Sequence, residues 1–278
     1  MQDNELCKPF LKWAGGKRQL LPTIRKRIPE NFSTYYEPFV GAGAVLFDIM
    51  PSKAVINDAN KELINVYKVI KNHIDELIRE LKGHINEEEY YYDVRKLDRR
   101  EDYKDMSPVK KASRILFLNK TCYNGLFRVN QKGQFNVPFG RYKNPNIVNE
   151  DVLRAVHNYL NNNNVKILNA DFEDGIKYMR KEAFVYFDPP YHPISDTSSF
   201  TGYTTDGFDA DDQRRLKYLC DELNDRGCRF LLSNSSAELI LDLYNEDDYK
   251  IEYVDANRCI NSVAKSRGEI EEVLVRNY

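Results

Sequence analysis

The stretch YFDPPYHP, residues 186–193, decides how the chain is read. The residues leading into it, KEAFVYF at 181–187, carry the β-branched and aromatic content of a central strand. Proline cannot donate to a sheet ladder, so the strand must end there and leave Asp188 at its carboxyl end. In open α/β sheets ligands bind beyond that edge, which makes Asp188 a candidate for chemistry as well as for turn geometry.

Outward from this strand the same alternation recurs. TYYEPF (34–39) reads as a strand, followed by the glycine turn VGAGAV, a short helix over VLFDIM and a second strand, KAVIND, ending at Asp58. Further strands are expected at VKIL (165–168), CRFLLSN (228–234) and EEVLVRN (271–277), and a helix from about Ala210 to Arg226 stopped by Gly227. Between these halves the period changes. Leu63, Val66, Tyr67, Ile70, Ile74, Leu77, Ile78 and Leu81 recur at helical spacing and predict one amphipathic helix of about five to six turns. The chain stays helical to about residue 122, with Ser107 as N-cap and Pro108 at the first helical position, and NQKGQ (130–134) then sits between two extended runs as a hairpin would. The fold class is α/β: a Rossmann-like sheet with helices on both faces, formed by 1–59 and 156–278, plus an inserted, mainly helical domain with a β-hairpin at 60–155.

Composition fits a globular protein, with 42% hydrophobic and 30% charged residues in 278. The five cysteines form no C-x-x-C pair and read as reduced thiols, and the four histidines show no ligand spacing, so no metal is expected. No run approaches a membrane span and MQDNELCKPF lacks the apolar core of a secretion signal, which points to a cytoplasmic protein. The net charge is -2, yet Met106 to Asn149 holds no acid and eight bases: Lys110, Lys111, Arg114, Lys120, Arg128, Lys132, Arg141 and Lys143. Such segregation is the footprint of a polyanion-binding face on an otherwise acidic protein.

Several motifs carry candidate chemistry. LKWAGGKRQL (11–20) lacks the Gly and Ser/Thr of a P-loop, and leaves a Gly-Gly turn between Trp13 and Lys17 that serves either a small-molecule site or the core. EPFVGAG (37–43) places small residues where a strand turns into a helix. Asp58 is placed either to take ribose hydroxyls or to cap the next helix, and Asp171 in NADFED lies just past another strand beside Phe172, where a cap is again the plain alternative to a site. Four strand ends thus carry Glu37, Asp58, Asp171 and Asp188, an edge suited to a neutral or cationic nucleotide-like cofactor.

An aromatic amine such as adenine N6 is a poor nucleophile because its lone pair is conjugated into the ring. Asp188 and the carbonyl of Pro189 could hold its hydrogens while the nitrogen pyramidalises, with Pro190 fixing the turn and Tyr191 stacking on the base. The segment 119–145 interleaves aromatics with cations. It is either a solvated basic hairpin or a DNA-reading element, with Arg128 for guanine and Tyr123 or Asn124 to fill the space left by an extruded base.

Together FLKWAGGK, EPFVGAG, the IND ending at Asp58, YNGLFRVN, GQFNVPFGRYKNP, DF and DPPY resemble the Dam-like group of S-adenosylmethionine-dependent DNA adenine-N6 methyltransferases, closest to the branch found in GATC-modifying restriction systems. The resemblance covers essentially the whole chain in the family's motif order. It implies a Rossmann-like methyltransferase sheet and cofactor contacts from Trp13, Ala14, Gly15, Lys17, Asp58 and Asp188, supported by Glu37, Pro38, Phe39, Gly41, Gly43, Asp171 and Phe172. Asp188, Pro189, Pro190 and Tyr191 would form the catalytic pocket. Lys12, Tyr123, Asn124, Leu126, Arg128 and Pro138 would touch double-stranded DNA. A cognate restriction endonuclease as genetic partner and a monomer or weak dimer complete the expectation.

Two rivals stand beside this reading. Transfer to cytosine N4 is one, disfavoured because that family usually has Ser where Asp188 stands. A DNA-binding regulator retaining the fold for structure alone is the other, disfavoured by the intact Asp188–Tyr191.

Overall fold

The computed structural model describes residues 5–13, 15–177, 179–194, 207–245, 247–257 and 269–278. These build a seven-stranded sheet of order β3-β2-β1-β4-β5-β7-β6. The strands are β1 (Tyr35–Glu37), β2 (Lys53–Asn57), β3 (Asn164–Leu168), β4 (Phe184–Phe187), β5 (Arg229–Ser235), β6 (Lys250–Asn257) and β7 (Glu269–Arg276). Neighbours from β3 through β5 are parallel, and β7 runs antiparallel between β5 and β6. From β1 the chain crosses over to β2 on one side, whereas β4 leads to β5 on the other. The strand order therefore reverses between β1 and β4, and the crevice that opens beyond their carboxyl ends is the natural ligand position in such a sheet.

Every residue of β4 is buried, as a central parallel strand covered on both faces must be. Its side chains alternate between two cores. Phe184 and Tyr186 join Tyr35, Leu231 and Leu274 on one face; Val185 and Phe187 join Phe230, Leu232, Val273 and Val275 on the other. The first core is shared with α1 (Leu21–Arg25), α2 (Ala44–Ile49), α3 (Lys61–Asn72), α4 (Ile74–Lys82), α5 (Glu88–Lys96), α6 (Pro108–Thr121) and α7 (Glu150–Asn162). The second is covered by α8 (Phe172–Ile176), α9 (Ala210–Asp225) and α10 (Glu238–Leu243).

The single helix expected over 63–81 is two. His73, at φ -139° and ψ 42°, closes α3 and opens α4. The apolar stripe runs on through the break, with Ile70, Ile74, Leu77, Ile78 and Leu81 all buried, which is why periodicity alone did not register it. Ser107 caps α6 as expected, its hydroxyl accepting from Lys110 N at 3.3 Å, and Gly227 (φ 68°) follows α9.

Strand β6 was not anticipated. Its sequence KIEYVDAN lacks the apolar run of the inner strands, as suits a strand at the sheet edge. The hairpin at 130–134 is present but not as a ladder: among the described residues, isolated bridges join Val129 to Phe135 and Cys122 to Phe139. The Asn130 side chain organises its tip, accepting from Lys132 N and Gln134 N at 3.0 Å each. Cys7, Cys122, Cys220 and Cys228 are buried and unpaired, and Cys259 lies outside the described residues.

Candidate active site

Glu37 ends β1 and Asp188 follows β4, so the two carboxylates flank the point where the strand order reverses. Glu37 is fully buried and accepts from the Tyr35 hydroxyl at 2.8 Å. Burial pushes its carboxyl well above the usual range, and the Asp188 charge adds to this against the Tyr35 hydrogen bond. Asp188 is pushed up to about 6 by burial, with the Lys17 ammonium pulling it back. Lys17 Nζ lies 2.8 Å from Asp188 Oδ1, 4.4 Å from the centre of the Tyr191 ring and 3.3 Å from Gly15 O. A buried lysine thus balances the acceptor carboxylate while resting on the adjacent aromatic face.

Asp58 is neither the N-cap of α3 nor a free carboxylate. Asn60 is the cap, accepting from Glu62 N and Leu63 N, while Asp58 accepts from Asn60 N at 2.8 Å and from Gly41 N at 3.0 Å. Burial raises Asp58 to about 6. It therefore closes the glycine turn, and a carboxylate so engaged keeps lone pairs for a ligand. Gly41 (φ 49°) presses against Trp13: a Cβ there would sit 3.0 Å from Trp13 Cδ1. Gly43 (φ 75°) has no room either, with Phe47 Cε2 and the Tyr67 hydroxyl 2.7 Å from its virtual Cβ. Asp171 caps α8, accepting from Glu173 N at 3.0 Å, and also pairs with Arg215 at 3.0 Å. Phe172 stacks on Phe39 at 5.4 Å and receives the Arg215 guanidinium on its ring at 4.9 Å. Pro38 is held through its carbonyl by Asn57 Nδ2 at 3.1 Å. Ala14 lies outside the described residues.

The Asp-Pro-Pro-Tyr turn is pinned by residues the motifs did not single out. Gln213 Nε2 on α9 donates to Pro190 O at 3.0 Å, and Asn234 Nδ2 donates to Gln213 Oε1 at 3.0 Å. Asn234 Oδ1 in turn accepts from His192 N at 3.2 Å, and Gln213 and Asn234 are both fully buried. Tyr191 OH donates to Glu272 Oε2 on β7 at 2.7 Å. The one signal in the sequence is the uncharged polar run Ser233, Asn234, Ser235 ending an otherwise apolar strand.

Lys12, Tyr123, Asn124, Arg128 and Pro138 are exposed and Leu126 is half-buried. They lie on neighbouring backbone: Tyr123 N donates to Pro138 O at 2.9 Å, and Arg128 reaches Asn136 O at 2.8 Å across the hairpin. Trp13 bridges this region to the crevice, its ring 4.8 Å from that of Phe127. Arg114 leaves the basic face predicted for 106–149. It is 2% exposed and pairs at 2.7 Å with Asp98, which also accepts from Phe135 N at 2.7 Å and so anchors the hairpin.

A doubly wound sheet with a carboxylate at the switch point, followed by Pro-Pro-Tyr, is consistent with an α/β methyltransferase. The chain belongs to the D12 class N6 adenine-specific DNA methyltransferase family, whose model matches residues 13–260. It is 47% identical to the Type II methyltransferase M1.LlaDCHI of Lactococcus lactis subsp. cremoris, over 100% of this chain and 98% of the relative. It is 46% identical to the Type II methyltransferase M.MjaIII of Methanocaldococcus jannaschii, over 98% and 99%, and 34% identical to the DNA adenine methylase of Escherichia coli K12, over 96% and 94%. The protein is therefore an adenine-specific DNA methyltransferase acting at N6, with DNA as its substrate. Among the described residues no helix is long and apolar enough to cross a membrane.

Proposed function

We propose that the enzyme binds duplex DNA through the exposed face of residues 60–155, takes an adenine within GATC out of the stack, and methylates it above Asp188 with S-adenosylmethionine as donor. The observation that carries this reading is the position of Asp188. It follows β4 at the β1–β4 crevice and is held by the buried Lys17, a recessed position that supports extrusion of the base as its route to the carboxylate. Unstacking costs a few kcal/mol, and Tyr123 and Asn124, exposed on a turn with Asn124 at φ 57°, are suited to occupy the vacated space.

The residues present fit the donor. S-adenosylmethionine, when bound, supplies a methyl group on a sulfonium, already a good leaving group. Asp58 and Asp188 offer carboxylates to its positive charges and hydroxyls with the buried Glu37 carboxyl beside them, the Phe39–Phe172 pair offers an aromatic wall, and the Gly41 turn against Trp13 allows close backbone approach. Asp188 accepts one amine hydrogen of the base and the Pro189 carbonyl the other, which favours the pyramidal nitrogen that attacks, and the proton this nitrogen must lose on gaining the methyl group passes to the Asp188 carboxylate or on to water. Tyr191, its hydroxyl held by Glu272, presents its ring to the base plane. Lys17 keeps Asp188 ionised near neutrality.

GATC rests on the likeness of YNGLFRVN and GQFNVPFGRYKNP to readers of that site, and a restriction endonuclease partner on the Type II names of two relatives. A cytoplasmic enzyme working on the nucleoid fits this role. The test is transfer of labelled methyl from S-adenosylmethionine to a GATC duplex and to the same duplex carrying N6-methyladenine. Label entering only the unmodified duplex supports the reading. Label on both means another site, and product analysis showing N4-methylcytosine overturns the acceptor.

A further inference from the structure

Asn119, near the end of α6 and 1% exposed, spends its side-chain amide on two separate pieces of backbone, one of them 107 residues away. Its Oδ1 accepts from Lys12 N at 2.9 Å, and its Nδ2 donates to Lys12 O at 2.8 Å and to Gly125 O at 2.9 Å. One side chain thus satisfies both backbone groups of Lys12 as a strand partner would, and ties them to the turn that presents Tyr123 and Asn124. The two segments also lie flush. Gly125 has φ 65°, and a Cβ there would fall 2.3 Å from Lys12 Cδ. One residue further along, Trp13 rests on Phe127, and four residues beyond that Lys17 pairs with Asp188. Six residues of chain therefore connect the exposed turn to the acceptor carboxylate.

We propose that Asn119 is a positioning residue that couples target recognition to the methyl-transfer site. It keeps the Tyr123–Gly125 turn in register with Lys12–Lys17, so that a duplex engaging the turn fixes the segment carrying Trp13 and Lys17. Asn119 touches neither DNA nor donor in this arrangement. The inference rests on the reading above, in which that turn faces DNA and that segment faces the donor. A buried asparagine is suited to the task because its amide supplies one acceptor and two donors in a fixed plane, whereas an apolar residue would leave two carbonyls and one N–H without partners.

The test uses the full chain and its single tryptophan, Trp13, which stands at the junction itself. Fluorescence titration gives the affinity for S-adenosylhomocysteine alone. Equilibrium binding gives the affinity for a GATC duplex and for one altered at a single base pair, each with and without S-adenosylhomocysteine. In wild type, S-adenosylhomocysteine should tighten the GATC duplex by about five- to tenfold, and by linkage the duplex should tighten S-adenosylhomocysteine equally. Asn119→Ala should bind S-adenosylhomocysteine alone within about twofold of wild type, lose the mutual tightening, and discriminate the altered duplex about tenfold less well. Unchanged tightening and discrimination in Asn119→Ala, or no tightening in wild type, would overturn the proposal. Should Asn119→Ala not fold, Gly125→Ala decides on the same two ratios, since a side chain at φ 65° strains the turn and its Cβ crowds the Lys12 side chain; wild-type ratios there reject the coupling. A wild type that methylates no duplex fails the functional reading instead, and is told apart by the transfer assay.

Discussion

Lys17 and Asp188 form an ion pair of 2.8 Å in which the lysine is 5% exposed and the carboxylate 18%. Removing the lysine leaves a buried carboxylate with burial unopposed, so its proton affinity rises further above about 6. The acidic limb of kcat/KM should fall near pH 6 in wild type and move upward by about one unit or more in Lys17→Met. A pH–rate profile under single-turnover conditions measures both, and an unmoved limb would mean that Lys17 does not set the charge of Asp188.

Asp58 and Asp188 both take up protons near pH 6 because they are buried. If S-adenosylmethionine binds in the crevice as proposed, its positive charge favours their ionised forms, so binding at pH 6 should release protons and tighten as pH rises through 6. Calorimetry in buffers of different ionisation enthalpy counts them. The same shifts carry a stability sign. Their folded-state affinities exceed the unfolded value of 3.8, so the folded protein binds more protons between about pH 4 and 6 and these groups' contribution falls as pH rises through that window. The melting temperature of ligand-free Asp58→Asn should drop less between pH 5 and 7 than that of wild type.

Asp98 accepts from Arg114, Arg99 and Phe135 N together. Asp98→Ala strands Arg114 at 2% exposure, although two backbone carbonyls still receive its guanidinium. The loss should be about 3 kcal/mol, at the low end for a broken buried pair, read as a shift in denaturant midpoint. Amide exchange at Phe135 should accelerate in the same variant.

Arg128 is exposed and its guanidinium touches only Asn136 O among the contacts described for it. Arg128→Ala should leave the melting temperature within about 1 °C, since exposed groups away from such features contribute little. It should cost about 1–3 kcal/mol in discrimination at one base pair of the target. Competition between duplexes altered at each position in turn identifies that base pair, and a loss spread evenly over all positions would make Arg128 a phosphate contact.

Gln213→Leu keeps the volume and removes the hydrogen bond to Pro190 O. The Asp-Pro-Pro-Tyr turn then loses its hold from α9, and kcat should fall by about tenfold or more, with affinities for DNA and donor near wild type. An equal fall in affinity would assign Gln213 to folding alone.

Strand β4 and its acid were legible because Phe-Val-Tyr-Phe running into Pro-Pro leaves no other geometry. The glycine turn was legible for the same local reason, whereas capping stood as one of two readings at both Asp58 and Asp171 and only Asp171 is a cap. What escaped was non-local. The break at His73 hides beneath an uninterrupted apolar stripe, and Arg114 looks like any surface base until Asp98 is brought beside it. Asn119 and Gln213 have no pattern of their own, and Asn234 only the polar run that ends its strand, because the main-chain atoms of Lys12, Pro190 and His192 that they hold lie far along the chain.

The hairpin that carries Arg128 is fastened from α5 and the turn after it mainly through its own carbonyls and one N–H. Tyr91 and Arg95 bond Val137 O, Arg99 bonds Phe135 O and Asp98 takes Phe135 N. Main-chain atoms are common to nearly all amino acids, so with Phe127, Phe135 and Val137 buried beneath, the mounting is indifferent to the exposed side chains it displays. If the hairpin reads DNA as proposed, such a fixture lets lineages exchange its exposed side chains while the enzyme beneath stays unaltered, with proline at 135 the one replacement its N–H forbids. New sequence preferences can then arise by point mutation on a standing frame, without first passing through an unfolded ancestor.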